Sequence, residues 1–176
     1  MFTAAAPPLD NLKNLLWGEI NSVVDGHEEL FKDHDRSFLD IRRGPEDYLI
    51  GVAIPSSSTD KEARFSGKHR AFMLFVFDEG DAIPDEVYRG ADGCMSGGHV
   101  RLLIMFNPRK SSGAVYRMIQ NKEASVVHLS AFNHPNVITG ENVIPGAVTR
   151  DVTVDRINRW SRPFSDGDTE TARSVF

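Results

Sequence analysis

The chain predicts an α/β fold in which a mostly parallel sheet carries helices on both faces. Two observations predict it. Strand-length apolar runs alternate with helical segments across residues 71 to 130 as a βαβαβ series. The two strongest runs, FMLFVF and VRLLIMF, also lack the strict alternation of a half-wet strand, as expected when helices cover both faces of a parallel sheet.

Taken in order, Phe2 to Ala6 is apolar and is stopped by Pro7-Pro8, which predicts a brief buried strand. Leu9, Leu12, Leu15, Leu16, Ile20, Val23 and Val24 recur at helical spacing, with Asp10 and Asn11 as capping candidates. An amphipathic helix is therefore expected over 9–24, ending near Gly26. The stretch Gly26 to Arg36, GHEELFKDHDR, is dense in charge and reads as a solvated connector with at most a half-turn at Leu30 and Phe31. Ser37 to Ile41 and Tyr48 to Ile54 are short apolar runs around Arg42-Arg43-Gly44-Pro45, which is turn chemistry, so a strand pair is expected. Pro55-Ser56-Ser57-Ser58 opens a loop expected to continue to His69.

The alternating series follows: a strand over 71–77, a helix over 84–89, a glycine-rich loop over 93–98, a strand over 100–106, a helix over 113–120 and a strand over 125–130. Ala131 to Arg150 has no clear period and carries Pro135, Pro145, Gly140 and Gly146, so it reads as a long ordered loop or lid. A last helix over 154–160 precedes a polar tail. The expected organisation is one domain over 1–161 and a disordered tail over 162–176.

Composition excludes several classes. With a net charge of −5 the chain has no global basic footprint, so contact with nucleic acid has to be local. The single cysteine, Cys94, rules out an internal disulfide and suits a reducing compartment. No apolar run approaches the ~20 residues of a membrane span, and MFTAAAPPLD lacks the charged start of a signal peptide. A soluble, cytoplasmic protein is the expectation.

The segment FMLFVFDEGD ends, without a turn residue, in the adjacent carboxylates Asp78 and Glu79. In an open α/β sheet the ligand lies beyond the carboxyl ends of the strands, where a nucleoside triphosphatase presents its Walker B acids. There Asp78 would hold a Mg²⁺ through a coordinated water, and Glu79 would orient or deprotonate the water that attacks a γ-phosphate. A plainer role, a strand end that caps the next helix, fits the same pair. Asn107, in Asn107-Pro108-Arg109, closes the next strand at the same edge and could bond the γ-phosphate or the attacking water; Asn-Pro is equally ordinary turn chemistry.

The run FDEGDAIPDEVYRGADG, then RLLIMFNPR, GAVYRM and VVHLSAFNHPNV, resembles the ATPase domain of phage terminase large subunits, the motors that package viral DNA. The likeness rests on Ile83-Pro84-Asp85-Glu86, Asn107-Pro108 and Ser130 to Asn136. Upstream, Thr3 to Ile20 is similar to that family's Thr-Ala-Pro strand end and helix, and Phe65 to His69 to its glycine loop before the acidic strand. The likeness covers most of residues 2 to 161 in the family's order. It implies a P-loop NTPase-like fold of the ASCE or RecA type, Mg²⁺ and ATP as cofactor and substrate, and Asp78, Glu79 and Asn107 as metal, catalytic and coupling residues. As partners it implies double-stranded DNA, the portal and the small terminase subunit.

The departures shape the expectation. Nowhere does the chain contain G-x-x-x-x-G-K-[ST], the phosphate loop, and His69 follows Gly67-Lys68 where Ser or Thr is needed. The nuclease domain of terminases is also missing. The chain is thus expected to carry half of an ATPase site, inactive alone, with self-association through a bare sheet edge. The alternatives are a non-catalytic prophage remnant or interaction module that keeps the fold, and a different nucleotide protein using Gly93 to Gly98, a segment with no lysine. Cys94, His99, His128 and His134 fit no zinc-ligand spacing. Arg150, Arg156, Arg159 and Arg162 read as a solvated face or a phosphate contact, Arg64 or Arg70 as an arginine finger, and Trp17 and Trp160 as packing anchors.

Overall fold

In the computed structural model, residues 2–5, 9–54 and 58–160 are described, with main chain alone for 2–5, 58, 59 and 160. The expected tail over 162–176 and the Arg162 and Trp160 side chains lie outside the described residues.

A mixed α/β arrangement fills the first of two compact units, Met1–Ala124. Among the described residues its sheet has six strands: β1 (Phe2–Ala5), β2 (Asp35–Ser37), β3 (Asp40–Arg42), β4 (Tyr48–Gly51), β5 (Phe72–Phe77) and β6 (His99–Ile104), in the order β2-β3-β4-β1-β5-β6. The β4-β1, β1-β5 and β5-β6 ladders are parallel, while β2-β3 and β3-β4 are antiparallel. The expected parallel sheet is thus present, extended on one side by a small antiparallel meander.

Alternation along β4 separates two cores. Ile50 and Val52 face a cluster holding Phe65, Met73, Phe75, Phe77, Val87 and Ala91, beneath α4 (Ser58–Phe65), α5 (Asp85–Asp92) and α6 (Ala114–Gln120). Leu49 faces the other side, where Leu12, Trp17, Val24 and Ile41 pack under a helical stretch. That stretch runs through α1 (Leu9–Asn11), a π-helical turn at Leu12–Leu16 and α2 (Trp17–Asp25). Helices therefore lie on both faces, and Trp17 is buried as the packing anchor it was expected to be.

Several local expectations are corrected. Ser37 to Ile41 is not one strand. Phe38 and Leu39 form the tip of a tight β2-β3 hairpin, with Leu39 at φ 55°, and the charged connector supplies β2 and a short α3 (Glu28–Phe31). The loop expected up to His69 contains α4, which offers almost no apolar period. It is held instead by Phe65, which is fully buried, and by close approach to α5 at Gly90, where a Cβ would meet the Glu62 carbonyl oxygen at 2.5 Å. The expected strand over 125–130 is an extended segment without a ladder partner among the described residues, its Leu129 89% exposed.

The second unit, Ser125–Phe176, contains α7 (Pro135–Thr139) and α8 (Arg150–Trp160) where a loop and a shorter helix were expected. Its organising residue is Asn136, 1% exposed, whose amide donates to the Ile144 carbonyl and accepts from the Ile144 N–H, both at 2.8 Å. Arg150 donates to the carbonyls of Val137 and Ile138 and so closes the C-terminal end of α7.

Candidate functional site

The acids stand at the carboxyl end of β5, a strand paired on both sides and buried along its last three residues. The turn that carries them is fixed by Gly80. Its N–H donates to the Met105 carbonyl at 2.9 Å, and its carbonyl accepts from the Tyr88 hydroxyl at 2.8 Å. A side chain at Gly80 would overlap the Ile104 methyl and come within 2.9 Å of the Tyr88 Oη, so only glycine lets β5 turn here against β6. Burial pushes the Tyr88 pKa up and keeps the hydroxyl protonated as the donor.

With Gly80 pinned, Glu79 adopts the left-handed conformation, φ 49° and ψ 43°. For a residue with a Cβ this costs on the order of 1 kcal/mol, a strain sites retain where the neighbouring structure imposes it. Asp78 Oδ1 accepts from the Glu79 N–H at 3.0 Å. Its other carboxylate oxygen and the Glu79 carboxylate have no hydrogen-bond donor among the described residues, and both residues are partly exposed. The plainer role, capping the following helix, is not what the pair does: neither side chain caps the 3-10 turn at Gly80–Ala82 or α5.

Asn107 lies at the same edge. Met105 continues the β5-β6 ladder by donating to the Phe77 carbonyl at 2.9 Å, and Asn107 follows two residues later, exposed and without a hydrogen bond among the described residues. The three predicted residues are therefore on adjacent strand ends. Their support comes from Tyr88 and Lys110, which sequence reasoning passed over; the Lys110 ammonium donates to the Asp81 carbonyl at 2.9 Å. A cleft of about 210 Å³ at this edge is walled by Asp81, Asp85, Lys110 and Gly113, with neither Asp78 nor Glu79 in its lining.

The donors fit Mg²⁺ better than they fit a nucleotide. Mg²⁺ takes one or two carboxylates and fills its octahedron with water and phosphate oxygens, and the free oxygen of Asp78 is one ligand of that type. Among the described residues no three His, Cys, Asp or Glu side chains gather as a metal cage. A phosphate cradle is a different matter. The glycine segment Gly93 to Gly98 leads into the amino end of β6, with Gly98 at φ 72° against the Ala71 and Arg70 carbonyls, and so lies away from the acids. That placement removes it as their phosphate loop.

Other candidates have structural partners. The Cys94 thiol is buried and donates to the Phe65 and Gly90 carbonyls, His99 stacks on Phe72 with centroids 5.3 Å apart, and His134 Nδ1 accepts from the Asn136 N–H. Arg159 pairs with Asp155 one helical turn away. Arg64 and Arg70 precede β5, at the opposite end of that strand from Asp78, so neither serves as a finger toward the acids of its own chain.

No protein-family model matches the chain, and no curated protein matches it.

Asp85, at the start of α5, ties the acid-bearing turn's helix to the next one. It accepts from the Ala114 N–H at 2.9 Å and pairs with Arg117 at 2.5 Å; the Arg117 hydrogen bond holds its carboxyl below the usual aspartate range. A folded pKa below the unfolded one contributes stability above about pH 4 and loses it as pH falls through the folded value. The carboxylate is 37% exposed, so screening limits the pair to under about 1 kcal/mol. Asp85→Asn is expected to lower urea stability modestly at pH 7, with a deficit that shrinks as pH falls below about 4. A deficit that does not change with pH would show that the ion pair is not the cause.

Proposed function

We propose that the chain supplies the acid and coupling half of a terminase-like DNA-packaging ATPase with a P-loop NTPase-type sheet. The observation that carries this reading is the placement of Asp78-Glu79 and Asn107 on the carboxyl ends of adjacent parallel strands, with Glu79 held in a strained turn. Asp78 is the Mg²⁺ residue, acting through water, Glu79 the catalytic carboxylate that positions or deprotonates the attacking water, and Asn107 the residue that senses the γ-phosphate. Bound Mg²⁺ would neutralise charge building on the phosphate oxygens. The phosphate loop comes from another segment, in a longer polypeptide or a companion chain, and the packaging context supplies double-stranded DNA, the portal and the small terminase subunit as partners.

Mixed with Mg²⁺-ATP, this chain alone is expected to release no phosphate above background. Joined to a strand, phosphate loop and helix, the chain is expected to hydrolyse ATP with a Mg²⁺ requirement, and Glu79→Gln to lower kcat by about 10² or more. Phosphate release by the chain alone, or an unchanged rate in the Glu79→Gln variant, contradicts the proposal.

One observation favours a second reading, a non-catalytic interaction module that keeps the fold. β6 is an edge strand with a central strand's apolar sequence: Leu103 is 49% and Met105 40% exposed, and only Arg101 interrupts the run with charge. Such an edge takes up another strand, here from a second copy. Sedimentation is expected to show concentration-dependent association that Leu103→Lys shifts toward monomer. A parent chain that stays monomeric at all concentrations rules this reading out.

A further inference from the structure

A second charged feature lies at the opposite end of the sheet from the acids and has no part in the reading above. Arg42 ends β3 directly across from Tyr48, the first residue of β4, and the loop Gly67–Arg70 enters β5 at its amino end. Together these residues wall a cleft of about 320 Å³, within the ~300–1,000 Å³ range of small-molecule sites. Its charged lining is cationic: Arg42, Lys68 and Arg70, with His69 beside them. An adjoining cleft shares Arg42 and Lys68 and adds Arg64; there the only carboxylate is Asp40.

The cations differ in how they are occupied. Arg42 gives Nε and Nη2 to the Asp40 carboxylate, at 3.2 and 2.7 Å, and stacks on the Tyr48 ring at 4.7 Å, so its plane is set. Lys68 is held by one bond, to the Arg64 carbonyl at 2.6 Å, and has no carboxylate partner among the described residues. Burial pushes its pKa down, with Arg64 adding in the same direction. Arg70 gives Nη1 to the neighbouring His69 carbonyl, while its Nε is buried with no acceptor among the described residues. A buried guanidinium donor left unmet, beside a desolvated ammonium without a counter-ion, is costly in an isolated chain. In a protein of net charge −5, cations converging from positions 64 to 70 and position 42 form a local basic cleft that the overall charge hides.

We propose that this cleft is an oxyanion site for a phosphate group, with Arg70 and Lys68 as the principal donors and Arg42 as the fixed wall. A phosphate oxygen would accept from the Arg70 guanidinium and from the Lys68 ammonium, which has no carboxylate partner among the described residues. The phosphate belongs either to a small phosphorylated molecule or to a nucleic-acid backbone. This inference does not rest on the ATPase proposal, because it uses none of that proposal's residues.

The test is calorimetric titration of the full chain, without Mg²⁺, using inorganic pyrophosphate in one arm and a short DNA duplex in the other. Saturable binding in either arm is expected, with Lys68→Ala and Arg70→Gln each weakening it at least about tenfold, the loss of one charge-assisted hydrogen bond. Lys32→Ala, an exposed position at the end of α3 outside the cleft lining, is expected to bind like the parent. Pyrophosphate binding alone identifies a small phosphorylated ligand, and duplex binding alone a polynucleotide backbone. Circular dichroism checks that the variants fold. If the partly buried positions do not tolerate substitution, the exposed Arg64→Ala is expected to weaken binding several-fold. No saturable binding in either arm, or binding indifferent to these substitutions, overturns the proposal.

Discussion

The contact on which the functional end of this molecule depends is the anchoring of Gly80 to the neighbouring strand and helix. Its N–H is committed to the Met105 carbonyl, its carbonyl to the Tyr88 hydroxyl, and the space where a Cβ would stand is filled by Ile104. Each bond contributes about 1 kcal/mol on its own. Their joint effect is positional. They oblige the chain to leave β5 through a left-handed Glu79, which keeps both acids at the strand end instead of letting them continue into a helix as caps. The buried edge-to-face contact of Phe77 with Tyr88, centroids 5.2 Å apart, ties the same turn to the core.

The two ends of the sheet are chemically opposite. Unmet carboxylate oxygens and an exposed amide gather beyond the carboxyl ends of β5 and β6. Under-partnered cations gather before the amino ends of β4 and β5. Six residues of strand, roughly 20 Å at ~3.3 Å each, separate them along β5. The two sheet edges differ as well. β2 is short, charged and exposed throughout, the usual protection of an edge, whereas β6 is apolar and has one partner among the described residues.

How much of this was legible in the sequence depended on whether a signal was local. The Asp78-Glu79 pair and Asn107 were readable because an apolar run leads straight into each, and a parallel sheet turns sequence order into position at one edge. β1 was readable from Phe2 to Ala5 although it sits between β4 and β5, since prolines mark its end. Helix α4 was not, because Ser58 to Phe65 has one strong anchor, Phe65, and its fit to Gly90 is a tertiary fact. The strand expected over 125–130 had the right composition but has no ladder partner among the described residues, and apolar content alone does not make a ladder. The β2-β3 hairpin was missed because its tip is Phe38-Leu39, with no Gly, Asn or Asp to announce the positive φ that Leu39 adopts.

The proposed role of the β5 and β6 strand ends, holding a divalent cation that faces a phosphate, is open to one measurement that requires no turnover. Amide NMR spectra recorded while Mn²⁺ is added as an oxygen-seeking substitute for Mg²⁺ report which backbone sites approach the ion. Early, selective broadening of the Asp78, Glu79 and Gly80 amides is expected, with weaker broadening at Asn107 and loss of the effect in Asp78→Asn. Broadening centred elsewhere, or unchanged in that variant, contradicts the proposed role.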